Sequence, residues 1–104
     1  MNLPFKTHVL ICTGPRCGGE RNSERVRREF RKELVRQAVL TGVKETQCIC
    51  FGLCRAGPNV IVYPEGVLYC GVRPADVAEI VREHIRGGRV VERLLFRREA
   101  PAAA

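Results

Sequence analysis

Four of the six cysteines in this chain form two tight pairs, Cys12 with Cys17 and Cys50 with Cys54. Each pair sits where a strand-like run gives way to a loop rich in glycine, with Gly14, Gly18 and Gly19 around the first and Gly52 and Gly57 in or after the second. Glycine lets the backbone approach a bound group without a side chain intervening. Four thiolates brought to one point are the donor set of a structural zinc site or of a [2Fe-2S] cluster, and the two intervals are compatible with both. A third chemistry, thiol-disulfide exchange, fits less well. It needs a C-x-x-C pair opening a helix so that the helix dipole lowers the nucleophile's pKa, whereas Ser23 begins the first helix well after Cys17.

The remaining chemistry-bearing residues read as structural. Cys48 projects to the same side of its strand as Cys50, near enough to compete as a ligand, and Cys70 ends a hairpin; both are expected to be buried as small apolar groups. His8 precedes an apolar strand, and His84 lies in the last turn of a helix, where a cation complements the dipole. No Ser/His/Asp set, paired carboxylate or phosphate-cradling loop stands out.

The elements that must position the cysteines can be read from periodicity. His8 to Cys12 is apolar on both faces and predicts a central strand stopped at Thr13-Gly14-Pro15. Ser23 offers an N-cap oxygen to a helix whose stripe is Val26, Phe30, Leu34 and Ala38, joined by Val35 and Val39, ending at Thr41-Gly42. Val43 to Cys50 predicts a second strand with polar positions, hence nearer a sheet edge. Val60 to Tyr63 and Val67 to Cys70, separated by Pro64-Glu65-Gly66, predict an antiparallel hairpin. Pro74 opens a second helix with Val77, Ile80, Val81 and Ile85 on its stripe, stopped at Gly87-Gly88. Val90 to Phe96 is either a further helical turn or an extended segment.

This order predicts an α/β fold, a thioredoxin-like four-stranded mixed sheet with two main helices, its first two strands parallel through a right-handed crossover. In such a core the ends of the first two strands are neighbours, so the two cysteine pairs should converge. The expected domain spans residues 1–96, with 97–104 a disordered tail lacking apolar periodicity.

A chain of 104 residues is long enough to bury roughly two thirds of its unfolded surface without disulfides. With no signal-peptide pattern and no run of membrane-spanning length, a soluble cytoplasmic protein is expected, where cysteines serve as ligands, redox groups or buried thiols. The formal charge is +7. Between Glu20 and Arg36 the basic residues alternate with acids as on a solvated helix, without the stacking aromatics of a nucleic-acid surface, so no nucleic-acid partner is expected.

Several stretches together resemble the thioredoxin-like [2Fe-2S] ferredoxins. They are His8-Val9-Leu10-Ile11-Cys12-Thr13-Gly14-Pro15-Arg16-Cys17, the loop Cys50-Phe51-Gly52-Leu53-Cys54, the hairpin from Gly57 to Gly66, and the helix from Pro74 to Val81. The resemblance runs from about His8 to Phe96. It implies a one-electron carrier rather than an enzyme, a homodimer, with a [2Fe-2S] cluster on Cys12, Cys17, Cys50 and Cys54. Its partners would be redox proteins, and the basic charge suggests that they dock through an acidic surface. Arg16 and Arg55, each beside a ligand, would favour the reduced state. The four-residue interval between Cys12 and Cys17 is also similar to that in a related subunit of NADH:quinone oxidoreductase and in hydrogenase domains; the lack of an added domain favours the free form.

Overall fold

The computed structural model describes residues 5–13, 23–39, 41–48 and 58–96. They form strand β1 (Thr7–Cys12), helix α1 (Ser23–Arg36) and strands β2 (Val43–Cys48), β3 (Val60–Tyr63) and β4 (Val67–Tyr69). Helix α2 covers residues 74–86 and changes pitch along its length, from 3₁₀ at Pro74–Asp76 through α at Val77–Glu79 to π at Ile80–Arg86. The sheet order is β2-β1-β3-β4, with β1 parallel to β2 and antiparallel to β3, and β3 antiparallel to β4. The mixed four-stranded sheet, the central place of β1, the edge place of β2 and the hairpin are all as the periodicity predicts.

Alternation along the strands sends Val9 and Ile11 of β1 and Val60 and Val62 of β3 to one face, where all four are fully buried. Both helices pack there, α1 through Val26, Phe30 and Leu34 and α2 through Val77, Ile80 and Val81. Each such side chain contributes about 1.5–3 kcal/mol by leaving water. The opposite face presents His8, Leu10, Thr46, Ile61 and Leu68, all only half-buried, and Tyr63, exposed.

Two features of α1 depart from the sequence reading. Ser23 caps nothing: it already lies within the described helix, and its buried Oγ has no hydrogen-bond partner among the described residues. The helix also stops at Arg36, short of Thr41. Val39 N–H donates to Leu34 O at 3.0 Å and Ala38 N–H to Val35 O at 3.1 Å, the paired bonds of a Schellman termination, with Ala38 at φ 60° in the left-handed position that glycine favours. Ala38 is therefore beyond the buried stripe, while Val39 folds back against the core. Val35 points outward and is 58% exposed.

The start of α2 is held by Asp76, whose carboxylate accepts the Arg73 amide at 2.9 Å and an Arg93 guanidinium N–H at 2.8 Å. Its end is set by Gly87, where a Cβ would lie 2.7 Å from the Glu83 carbonyl, and by Gly88 at φ 71°. The segment after α2 takes both forms that the sequence allowed. Glu92–Leu94 is a 3₁₀ turn, after which Leu95 bridges Tyr69 and Phe96 N–H donates to Leu68 O at 2.9 Å, covering the edge of β4. Val91 and Leu94 are buried in the chain's own core.

Candidate metal centre

The parallel register of β1 and β2 ends with Cys12 opposite Cys48. Past that row, Thr13 N–H donates to Cys48 O at 2.8 Å, and on the other side Cys12 N–H donates to Asn59 O at 3.1 Å. Three points of the chain thus meet at one rim of the sheet: the exit from β1, the exit from β2 and the entry to β3. These are the points from which the segments bearing the two cysteine pairs depart or to which they return. Asn59 itself is fully buried. Its part in holding Cys12 was not visible in the sequence, where Pro58-Asn59 marks only the end of a loop.

Cys12 is 1% exposed, so its side chain is already out of water at the end of a rigid central strand. Cys17, Cys50 and Cys54 lie outside the described residues, as do Arg16 and Arg55. Among the described residues no three His, Cys, Asp or Glu side chains converge to hold a metal ion. A buried thiol at a strand end is nonetheless the right chemistry for a soft-metal donor, and the second strand delivers its own cysteine-bearing segment beside it.

Cys48 is half-buried rather than buried, and its Sγ lies 3.6 Å from the Ile11 carbonyl oxygen, a weak S–H···O contact. Cys70 is also half-buried. It follows Tyr69, the partner of Val60, and so continues the same rim beyond Asn59, with its N–H donating to Leu94 O at 2.9 Å. His8 bonds Thr46 Oγ1 through Nε2 at 2.7 Å, across the β1–β2 pair.

His84 does not lie at an exposed helix end, and its Nε2 is 3.5 Å from the Glu65 carboxylate. It is buried, with Nδ1 2.7 Å from the Tyr69 hydroxyl, whose oxygen also accepts the Val91 amide at 2.9 Å. Burial pushes the Tyr69 phenol above its ordinary pKa. This is a structural tie between β4, α2 and the following segment.

The approach to the rim along α1 is positive. Arg27, with Glu45, Thr46 and Gln47, lines a small cavity of about 70 Å³. Glu45 is half-buried; burial raises its pKa, and Arg31, Arg27 and Lys44 pull the other way.

The chain is similar to proteins whose names bear on this rim. It is 41% identical over 96 residues to a "Ferredoxin, 2Fe-2S" of Clostridium pasteurianum, covering 86% of this chain and 94% of that one. It is 38% identical over 103 residues to a "Ferredoxin, 2Fe-2S" of Aquifex aeolicus, covering 90% and 92%. The crystal structure of the wild-type thioredoxin-like [2Fe-2S] ferredoxin from Aquifex aeolicus superposes with a TM-score of 0.82 at 34% identity, over 90% of this chain and 99% of that one. No family model matches. A shared sheet, a shared helix order and this level of identity over nearly the full length of both relatives have one reading: the chain belongs to the family of thioredoxin-like [2Fe-2S] ferredoxins.

Proposed function

We infer that the protein is a one-electron carrier whose cofactor is a single [2Fe-2S] cluster, and that Cys12, Cys17, Cys50 and Cys54 hold it. The observation that carries the reading is the in-register end of β1 and β2, with Cys12 beside Cys48 and the Asn59 carbonyl closing the other side. Covalent reach is compatible with the other three ligands. At no more than about 3.6 Å per residue, Cys50 is tethered within about 7 Å of Cys48, and Cys17 and Cys54 within about 14 Å of Thr13 and Pro58 respectively. The cluster supplies a one-electron couple when bound. The chain supplies four thiolates, a buried anchor at Cys12, and a rigid sheet that keeps the two donor segments at one rim.

Full-length similarity to proteins named as ferredoxins supports the free carrier over a permanent subunit of a larger complex, and over a zinc module or a thiol-disulfide protein. The proposal extends to a carrier with no catalysis of its own, to acidic redox partners in the cytoplasm with no nucleic acid, and to a domain of residues 1–96; the tail expected at residues 97–104 lies outside the described residues. No described helix is long and apolar enough to cross a membrane. It extends also to a homodimer, for which the half-buried face of Leu10, Ile61 and Leu68 beside exposed Tyr63 is a better surface than the segment after α2, whose Val91 and Leu94 are used in the core.

The direct test is iron and acid-labile sulfide analysis of anaerobically purified protein, with its visible spectrum. Two irons and two sulfides per chain, with red-brown colour bleached by one electron, are expected. Colourless protein carrying zinc, or carrying nothing, sinks the reading.

A further inference from the structure

Helix α1 carries a stripe of positive charge that its own acids reach only at Arg36. Arg25, Arg28, Lys32 and Arg36 are all exposed. Their spacing of three, four and four residues sets them within about a quarter of the helix circumference and along about 16 Å of its axis. The acids of the helix are mostly engaged elsewhere. Glu24 pairs with Arg27 at 3.3 Å, and Glu33 is buried, held by Gln37 at 2.9 Å and reached by Arg36 at 3.5 Å. Arg25, Arg28 and Lys32 make no ion pair among the described residues, and Glu29 is the one acid flanking the stripe. Beside it stands Val35, the most exposed large apolar residue of the described chain.

Cations with an apolar residue among them fit the surface of an acidic protein better than a phosphate backbone, which has no use for the valine. Position adds to this. The first turns of α1 lie toward the rim, since Arg27 shares a cavity with Thr46 and Gln47 near the end of β2. A partner seated on the stripe is therefore led toward the cysteine-bearing edge. We propose that the α1 stripe, Arg25, Arg28, Lys32 and Arg36 around Val35, is the docking surface for an acidic redox protein.

This rests on the carrier reading, and the test separates the two. Reduced protein is mixed with an acidic flavodoxin and, separately, with an uncharged quinone, at low and high salt. Arg28→Glu with Lys32→Glu is compared with an equal charge change on α2, Arg82→Glu with Arg86→Glu, and with Arg28→Gln plus Lys32→Gln, which keeps the stripe polar without reversing it. The α1 reversal should slow transfer to flavodoxin at low salt by on the order of tenfold and flatten its salt dependence; the glutamine pair should act in the same direction more weakly, and the α2 pair should change it less than twofold. Equal losses from the two reversals would reduce the effect to net charge, and no loss from α1 would remove the stripe; either overturns the proposal. Tighter binding of a single-stranded DNA oligonucleotide than of flavodoxin by the unaltered protein would overturn the choice of partner. Oxidation of the reduced protein by quinone should be unchanged throughout, and an unaltered protein that passes no electron to quinone counts against the carrier reading itself.

Discussion

On the helical side of the sheet, Val9, Ile11, Val60 and Val62 are sealed against Phe30, Leu34, Ile80 and Val81 with no water contact. At the rim, the Asn59 carbonyl holds the Cys12 amide and the Cys48 carbonyl holds the Thr13 amide, at the ends of β1 and β2. The first region is over-determined by apolar contacts and should fold by itself. The second is given its position by the first, and in the proposed carrier its cysteines serve the cluster rather than the core. The two regions should therefore respond differently to damage.

The largest expected effect comes from Cys12→Ala. It should abolish most of the visible absorbance and the bound iron while costing the cluster-free fold only about 1 kcal/mol, the loss of one small buried group. A variant unfolded by circular dichroism would break the separation, because the rim would then be supporting the core. Phe30→Ala is the converse. Removing the ring should cost about 3–5 kcal/mol, a large part of a typical domain's stability, and cluster content should fall only in proportion to folded protein.

Asp76 tests a polar joint of the covered region. Burial would raise its pKa, but the Arg73 amide and the Arg93 and Arg73 guanidiniums outweigh that and hold the carboxyl below its ordinary value. A depressed folded pKa gives stability that is present above the unfolded value, about 4, and is lost as pH falls through the folded one. Asp76→Asn should cost about 1–3 kcal/mol at pH 7 and less at pH 3, so its urea midpoint should converge on that of the unaltered protein in acid. Parallel midpoints across that range would remove Asp76 from acid unfolding.

Tyr69→Phe deletes the hydroxyl shared by Val91 and His84 and should cost about 1–3 kcal/mol by leaving a buried donor unpaired. Hydrogen exchange at the Val91 amide is the readout, and unchanged protection would show that the tie is dispensable. The smallest effect runs the other way: Ala38→Gly should gain up to about 1 kcal/mol by removing a β-carbon from a left-handed position, read as a raised thermal midpoint.

How much of this was legible in the sequence follows the same division. Strand and helix faces announce themselves by period, so the central place of β1, the stripe of Val26, Phe30 and Leu34 and the existence of the hairpin could all be read beforehand, while its register, Val62 opposite Val67, could not. Where a helix ends depends on which carbonyls the last amides find. The apolar pattern ran on through Ala38 and Val39 after the helix had already ended at Arg36. The change of pitch along α2 has no signature in residue type, and the buried role of His84 needed the position of Tyr69, fifteen residues away. At the rim, spacing named four cysteines and the fold places one of them, Cys12, in a buried seat.

The strip of chain that lies along β4 has a further bearing. With Leu95 and Phe96 occupying that border of the sheet, the described strands leave one lateral border open, that of β2, and there the exposed positions are Lys44 and Gln47. An incoming strand would have to desolvate a lysine to add itself, which is a known deterrent to runaway sheet extension. A carrier that must collide repeatedly with other proteins at high concentration is thus protected against sticking to them, or to itself, by the wrong edge.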